Sequence, residues 1–158
     1  MKTTRQVHTL LAAIFLCPLV FSCSGGSYTE VFDLPHAEWP SGSAVNFEFI
    51  PTDHSSAKNI DIIVRYSRDF PTANLLLEVK TVRPDEIFWC DTISVPLVDE
   101  KGKPAGAPIS IGNDIKYNYR TGAVFSKEGQ YAIALRQLTG QDTLRHILSV
   151  GVNIYPAD

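Results

Sequence analysis

Residues 45–49 read Val-Asn-Phe-Glu-Phe, and this stretch carries the pattern that decides the fold. Its apolar side chains, Val45, Phe47 and Phe49, alternate with polar ones, so in an extended chain they share one face. The same period of two recurs in residues 60–66, 75–79, 115–119, 131–135 and 148–154. A period of two predicts β-strands that each turn one face toward a core and the other toward solvent.

Turns rich in proline, glycine and asparagine separate these segments, and no window keeps the apolar spacing of an amphipathic helix for long. We therefore expect an all-β fold, a single antiparallel β-sandwich of about eight or nine strands. Its core should consist of inward-facing residues of the alternating segments, namely Val45, Phe47, Phe49, Ile60, Ile62, Val64, Leu75, Leu77, Ile133, Leu135, Val150 and Val152.

The turn before one of these strands reads Phe-Pro-Thr-Ala-Asn-Leu over residues 70–75. Pro71 fixes φ, and an asparagine side chain can bond neighbouring backbone groups in a turn. We expect the side chain of Asn74 to form such a bond and so to set the register of the strand that follows.

Residues 1–22 have the three parts of a bacterial secretory signal peptide, with Lys2 and Arg5 ahead of an apolar run at residues 10–21. That run is shorter than the roughly 20 apolar residues of a membrane-spanning helix. Val20 and Ser22 precede Cys23 as in a lipobox, where the cysteine thiol is joined to diacylglycerol. The sequence therefore predicts a membrane anchor through lipid on Cys23, and the alternative is a plain signal peptide cut near Ser22 or Gly25.

The predicted organisation is a signal peptide at 1–22, a lipidated cysteine with a short flexible tether at 23–27, and the β-sandwich domain at 28–158. Of the 14 basic residues two lie in the leader, so 12 basic face 17 acidic residues after cleavage, a net charge of −5. This balance argues against nucleic acid as a partner. Cys90 is then the one cysteine left inside the domain, and we expect it to be a buried, inert thiol.

The residues that could carry catalysis or hold a metal are scattered along the domain. His36, His54 and His146 fall in three separate predicted loops, without the close spacing of a zinc site. Acidic pairs such as residues 85–86 and 99–100 lie in predicted turns, where carboxylates serve solubility. We therefore predict no catalytic residues, no metal, no cofactor and no enzymatic activity.

Binding is the better-supported class, because the domain is rich in aromatic residues. Trp39 lies outside any strong alternation and is the best candidate for an exposed anchor. Tyr66 and Phe70 flank the turn at 70–75, and with Trp39 they are the candidate contacts to a partner. The alternative is that most of these aromatic residues belong to the core or rim of the sandwich.

Several stretches, in order along nearly the whole domain, resemble the gliding-motility lipoprotein GldH family of the Bacteroidota. They are Trp39, residues 61–66 (Asp-Ile-Ile-Val-Arg-Tyr), residues 70–75, the Asp91-Thr92 pair, the Asp-Glu-Lys-Gly hairpin at 99–102, Gly129-Gln-Tyr131 and Val150-Gly-Val152.

The resemblance implies a non-catalytic accessory lipoprotein of the machinery for surface gliding and the linked type IX secretion. Such a protein would act through contacts with other envelope proteins. It would sit in the cell envelope, anchored by lipid in the outer membrane and facing the periplasm. The alternative function is an envelope lipoprotein that binds carbohydrate or peptide on exposed aromatic residues.

Overall fold

The computed structural model describes residues 26–157. This part of the chain forms eleven strands and one 3₁₀ turn, Pro35–Ala37, with no α-helix in it. The strands are β1 (Tyr28–Asp33), β2 (Glu38–Pro40), β3 (Val45–Phe49), β4 (Lys58–Ser67), β5 (Asn74–Val82), β6 (Phe88–Pro96), β7 (Ala107–Ile109), β8 (Gly112–Ala123), β9 (Tyr131–Gln137), β10 (Thr143–Arg145) and β11 (Ile147–Pro156).

Two antiparallel sheets form the layers of the sandwich. The larger has the strand order β1-β11-β4-β8-β7, and the smaller has the order β3-β9-β5-β6. A third, two-stranded sheet pairs β2 with β10, with Leu144 opposite Trp39. The all-β, antiparallel sandwich predicted from the alternating segments is confirmed.

The core lies between the two large sheets and is built from the alternating residues of the long strands. On β3 every second residue is buried, and β9 shows the same alternation. All twelve residues predicted for the core are buried there. Burial of one face of each strand is the main source of stability in such a fold.

Eight of the eleven strands have five or more residues, and each of the other three has three residues. These eight long strands agree with the eight or nine strands predicted from the sequence. The short strands β2, β7 and β10 lie in segments that appeared irregular or polar in the sequence. Each of them forms where another strand lies beside it and pairs with it, as β8 pairs with β7.

The two ends of the sandwich are distinguished by the strands that begin there. At the N-terminal end β1 begins at Tyr28, β4 begins at Lys58 and β11 finishes at Pro156. At the opposite end β4 finishes and the turn at 70–75 leads into β5. No helix within residues 26–157 has the length and apolar character to cross a membrane.

The turn at 70–75 differs from the sequence-based prediction. The Asn74 side chain is exposed and forms no hydrogen bond to the rest of residues 26–157. Instead the Thr72 hydroxyl donates to the Asn74 carbonyl oxygen at 3.1 Å. The prediction for Asn74 is wrong, because its side chain points into solvent and the side-chain bond to the backbone in this turn comes from Thr72.

Candidate functional site

Cys23, the predicted lipid-bearing residue, lies outside the described residues, and its modification stays a prediction. Trp39 is 0% exposed, and its indole Nε1–H donates to the Ser43 carbonyl oxygen at 2.9 Å. The expectation that Trp39 is an exposed anchor is therefore wrong. Pairing of β2 with β10 folds this short segment inward, so the ring joins Leu144 in the core.

Tyr66 is also buried, and its hydroxyl lies 2.6 Å from the Leu97 carbonyl oxygen and 2.8 Å from that of Ala105. Burial raises the pKa of Tyr66, so the phenol stays neutral. Phe70 is half-buried and meets Tyr66 edge-on, with ring centroids 6.2 Å apart. The expectation of a contact to a partner is wrong for Tyr66, whose ring and hydroxyl are both occupied inside the domain.

The three histidines within the described residues lie on separate segments of the fold. His54 Nδ1 lies 3.0 Å from the Phe125 carbonyl oxygen at the N-terminal end. The backbone N–H of His146 donates to the Ala37 carbonyl oxygen at the opposite end, which brings the segment of His36 close to His146. Within residues 26–157 no three His, Cys, Asp or Glu side chains are arranged to hold a metal ion.

Cys90 is exposed, contrary to the expectation of a buried thiol. On β6 the odd-numbered residues Trp89, Asp91, Ile93 and Val95 turn toward the other sheet, and the even-numbered ones face solvent. The period of two therefore places Cys90 on the outer face of an edge strand.

A polar cluster occupies the gap between the sheets where β6 faces β8. Asp91 accepts a hydrogen bond from the Tyr119 hydroxyl. It also forms an ion pair with Arg120, whose Nη2 lies 2.7 Å from the carboxylate. The Arg120 guanidinium also lies 5.5 Å from the centre of the Trp89 ring. An acid, a phenol, an arginine and an indole therefore lie together between the two sheets.

The pKa values of this cluster shift in the directions that keep the ion pair charged. The Tyr119 hydroxyl, together with Arg120, holds the pKa of Asp91 below its usual range despite some burial. Burial and the neighbouring Asp91 raise the pKa of Tyr119. Although burial opposes it, contact with Tyr119 and Asp91 raises the pKa of Arg120. At neutral pH Asp91 and Arg120 are therefore charged and in direct contact, and the Tyr119 phenol that donates to Asp91 is neutral.

Beside this cluster, at the N-terminal end, a cavity of about 150 Å³ lies between the sheets. Thr81 on β5, Arg83 in the following turn, Trp89 on β6 and Arg120 on β8 contribute its polar wall. Three side-chain atoms of these residues, Thr81 Oγ1, Arg83 Nε and Trp89 Nε1, have no hydrogen-bond partner among residues 26–157 and are themselves inaccessible to water. Buried polar atoms are rarely left unpaired in a folded protein.

A larger groove of about 680 Å³ also lies at the N-terminal end, where residues 26–28 meet the loop after β3. Its charged groups already have partners. Lys58 pairs with Asp53 at 3.4 Å, and Asp53 also accepts from Ser55 and Ser56. The charged groups of the smaller cavity are also paired, Arg83 with Asp85 and Arg120 with Asp91.

Four large apolar residues are exposed at the N-terminal end, near or beyond the strand ends. Ile50 follows β3, Ile87 and Phe88 lead into β6, and Val124 follows β8. Phe88 is 58% exposed and Ile87 is 54% exposed. Exposing large apolar side chains to water is unfavourable. Several of them at one end of the domain therefore mark a candidate contact surface.

The sequence contained one usable signal for the polar cluster. Asp91 has the same parity as Ile93 and Val95, so an acidic residue stands on the inward face of a predicted strand. A charge at such a position calls for a buried partner. Nothing in the sequence identified Arg83 or Thr81, because the cavity exists only where two distant strands face each other.

The chain matches the family model for the GldH lipoprotein over residues 26–154. It is also similar to the gliding motility lipoprotein GldH of Flavobacterium johnsoniae, with 25% identity over 165 residues that cover 100% of both chains. The resemblance inferred from the ordered stretches of sequence is confirmed.

Two solved structures of infectious bursal disease virus, from the Gx and Gt strains, are weakly similar in fold. They share 14% and 11% identity with this chain and cover 83% and 84% of it, with TM-scores of 0.33 and 0.31. The chain spans 32% of each viral chain. A likeness at this level carries no argument about function.

Proposed function

The chain belongs to the GldH lipoprotein family, and from that membership we propose that it is a non-catalytic accessory component of the gliding-motility and type IX secretion machinery. It acts through contacts with other envelope proteins. The observation that carries this proposal is the match to the gliding motility lipoprotein GldH over 100% of both chains.

Lipid on Cys23 holds the domain in the cell envelope, at the outer membrane and facing the periplasm. Five peptide links separate Cys23 from Tyr28, where β1 begins. An extended chain spans at most about 3.6 Å per residue, so β1 begins within roughly 18 Å of the lipid. The N-terminal end of the sandwich therefore stays near the membrane surface.

The contact surface consists of Ile50, Ile87, Phe88 and Val124, and we call it the apolar rim. Its occupant is a protein of the same machinery that is itself held at this membrane. The short connection to the anchor supports this assignment, because it keeps the rim near the bilayer, where such a partner also lies. Apolar side chains surrounded by polar loops are typical of a protein interface.

The carbohydrate-binding alternative is less well supported. Such a site needs a concave aromatic surface with convergent polar groups. Trp39 and Tyr66, which would contribute to that surface, are buried instead. The cavity beside Trp89, at about 150 Å³, is below the roughly 300–1,000 Å³ typical of small-molecule sites.

Complementation of a deletion strain tests the proposal, with colony spreading and secretion of type IX cargo as readouts. The deletion should impair one or both, and the native gene should restore them. A Phe88→Ser variant should accumulate normally and melt like the parent, but restore less spreading and less secretion. Ile111→Ser is the matched control, since Ile111 is 63% exposed at the opposite end.

A photo-crosslinking residue at position 88 should capture an envelope protein, and one at position 111 should not. If the deletion strain spreads and secretes normally, the proposed function is wrong. If the Phe88→Ser variant restores full activity and position 88 captures nothing, the apolar rim is not the contact surface.

A further inference from the structure

The strand β6 forms one edge of the smaller sheet, and its hydrogen bonds to β5 show which backbone groups stay unpaired. The two strands pair in unbroken register from Phe88 to Pro96. Just beyond them, the Arg83 N–H donates to the Ile87 carbonyl oxygen at 2.9 Å. Bonded pairs alternate along an antiparallel ladder, so the odd-numbered residues of β6 are the ones bonded to β5.

The even-numbered residues of β6 therefore turn their backbone N–H and C=O groups away from β5, along the open edge. They are Phe88, Cys90, Thr92 and Ser94, followed by Pro96, which has no N–H. A row of unpaired backbone groups of this kind is a template on which a further strand can pair.

The other three edges of the two large sheets, within residues 26–157, carry features that discourage such pairing. These features include short length, exposed charges and proline. The strand β7 has three residues and contains Pro108, β3 has five and carries Glu48, and β1 has six and carries Glu30 and Asp33. By contrast, β6 has nine residues in continuous register, and its outward side chains are uncharged.

The one charged residue of β6, Asp91, faces inward and already has a compensating charge beside it. The Tyr119 hydroxyl and Arg120 Nη2 both contact Oδ2 of Asp91, which leaves Oδ1 available as an acceptor. The side chains of Asp91 and Arg120 are 39% and 40% exposed, so both can be reached from the open edge. A strand that brings its own acid and base to this position is complementary in charge, and a second copy of β6 does so.

One register of two antiparallel β6 strands uses all the outward N–H groups. With Asp91 opposite Asp91 of the partner subunit, Cys90 lies opposite the partner's Thr92, and Phe88 lies opposite the partner's Ser94. Each copy then donates four N–H groups, and the resulting total of about eight bonds is close to the roughly ten of a typical protein interface. Pro96 lies outside these bonded pairs, so its missing N–H removes none of them.

We propose that β6 pairs with β6 of a second copy in this register, so that the two smaller sheets join across a two-fold axis at Asp91. In the joined sheet, Arg120 of each copy lies beside the free Oδ1 of the partner's Asp91. The inference does not depend on the proposed function, because it rests on the edge of β6 alone. The connection of roughly 18 Å to each anchor lets both lipids enter one bilayer when the joined sheet lies along its surface.

The thiol of Cys90 provides a test that reads the register. In the acylated mature chain, held in detergent, Cys90 is free and exposed. Opposite residues of a bonded antiparallel pair have Cα atoms about 5.5 Å apart, which suits a disulfide. Thr92→Cys places a thiol opposite the partner's Cys90, so mild oxidation should link most chains into covalent dimers.

Ser94→Cys is the matched control, because it adds one thiol to the same face of the same strand. In the proposed register position 94 lies opposite the partner's Phe88, two residues away from the partner's Cys90. The Ser94→Cys variant and the parent should therefore stay unlinked under the same oxidation.

A second measurement removes one outward N–H without touching the bonds to β5. The parent should sediment as a dimer at the upper end of a concentration series in analytical ultracentrifugation. Thr92→Pro should melt like the parent but raise the dissociation constant of the dimer at least roughly tenfold, because the symmetric interface loses two bonds. Thr92→Val keeps the N–H and should stay dimeric.

The proposal is overturned if the parent sediments as a monomer throughout the series, or if Thr92→Pro dimerises as tightly as Thr92→Val. It is also overturned if Thr92→Cys forms no covalent dimer. Efficient linkage of the parent or of Ser94→Cys would mean that the strands meet in another register, which contradicts the proposed pairing.

Discussion

Asp91 illustrates how a single residue stabilises the open edge of the sandwich. It stands on the inward face of β6 and is held by Tyr119 and Arg120 of β8. Replacing Asp91 by Ala should lower the free energy of unfolding by roughly 1–2 kcal/mol, because a charge-assisted contact is lost at a site that is still partly open to water. Urea unfolding at neutral pH measures the difference.

The control for this substitution is Glu38→Ala, which removes a more exposed ion pair to Arg145, 3.3 Å away. That change should cost no more than about 0.5 kcal/mol. Equal losses for the two variants would show that Asp91 contributes nothing beyond an ordinary surface pair.

Asp91 should also make stability depend on pH. Its pKa is lowered in the folded protein, chiefly by the Tyr119 hydroxyl and also by Arg120. The carboxylate form therefore favours folding, and this contribution is fully present above the ordinary carboxyl pKa of about 4. As the pH falls through the lower pKa of the folded state, the contribution is lost. The difference in stability between the parent and Asp91→Asn should accordingly shrink below pH 4, and a constant difference would contradict this explanation.

At the turn before β5, Asn74→Ala should change the free energy of unfolding by less than about 0.5 kcal/mol. The side chain of Asn74 is exposed, and the Thr72 hydroxyl forms the bond to the backbone there. Chemical denaturation of this variant and of the parent measures the difference in free energy of unfolding. A loss of 1 kcal/mol or more, on the scale of a lost hydrogen bond, would mean that Asn74 does stabilise the turn.

Single residues were the least predictable level from sequence. Parity along β6 places Cys90 outside and Asp91 inside, because Asp91 shares its face with Ile93 and Val95. Trp39 could not be placed by parity, because β2 has three residues and its partner β10 is about a hundred residues away. Its burial depends on a pairing that no local pattern contains.

Among the elements, the edge strand β1 depends on a close approach that only glycine allows. A Cβ added at Gly151 of β11 would lie 2.5 Å from the Glu30 carbonyl oxygen and 2.8 Å from a Val31 side-chain carbon. Gly151→Ala should therefore push β1 away from β11 and cost roughly 1–3 kcal/mol. Thermal or chemical unfolding measures the loss, and hydrogen exchange should show faster exchange in residues 28–33.

Gly42→Ala serves as the matched control, because a Cβ there would meet nothing within 4 Å. This variant should be as stable as the parent within about 0.5 kcal/mol. If Gly151→Ala behaved like Gly42→Ala, then β1 would have room to accommodate a methyl group and the close approach would not matter.

The long strands were predictable because each spans several periods of the alternating pattern. Residues 45–49 and 131–135 alternate strictly, and they pair with each other in the smaller sheet. The three short strands were not predictable, since three residues hold little more than one period. The order of strands in each sheet also could not be read from the alternation, which identifies an inward face but not a neighbour.

At the scale of the whole molecule, the N-terminal end combines three features. The chain enters there at Tyr28, the apolar rim is exposed there, and the cavity beside Trp89 opens close by. The lipid predicted on Cys23 would bring all three features to the membrane surface. The location of the domain, the partners it can reach and the role of its exposed residues all depend on that modification.

The lipid anchor on Cys23 is therefore tested most directly by the intact mass of the chain purified from envelope membranes, with fragmentation of its N-terminal peptide. We expect the mature chain to begin at Cys23 and to carry diacylglycerol through a thioether on that residue. Cys23→Ala should leave a folded domain that no longer sediments with membranes. An unmodified N-terminus at Gly25 or later in the native protein would contradict the lipid anchor.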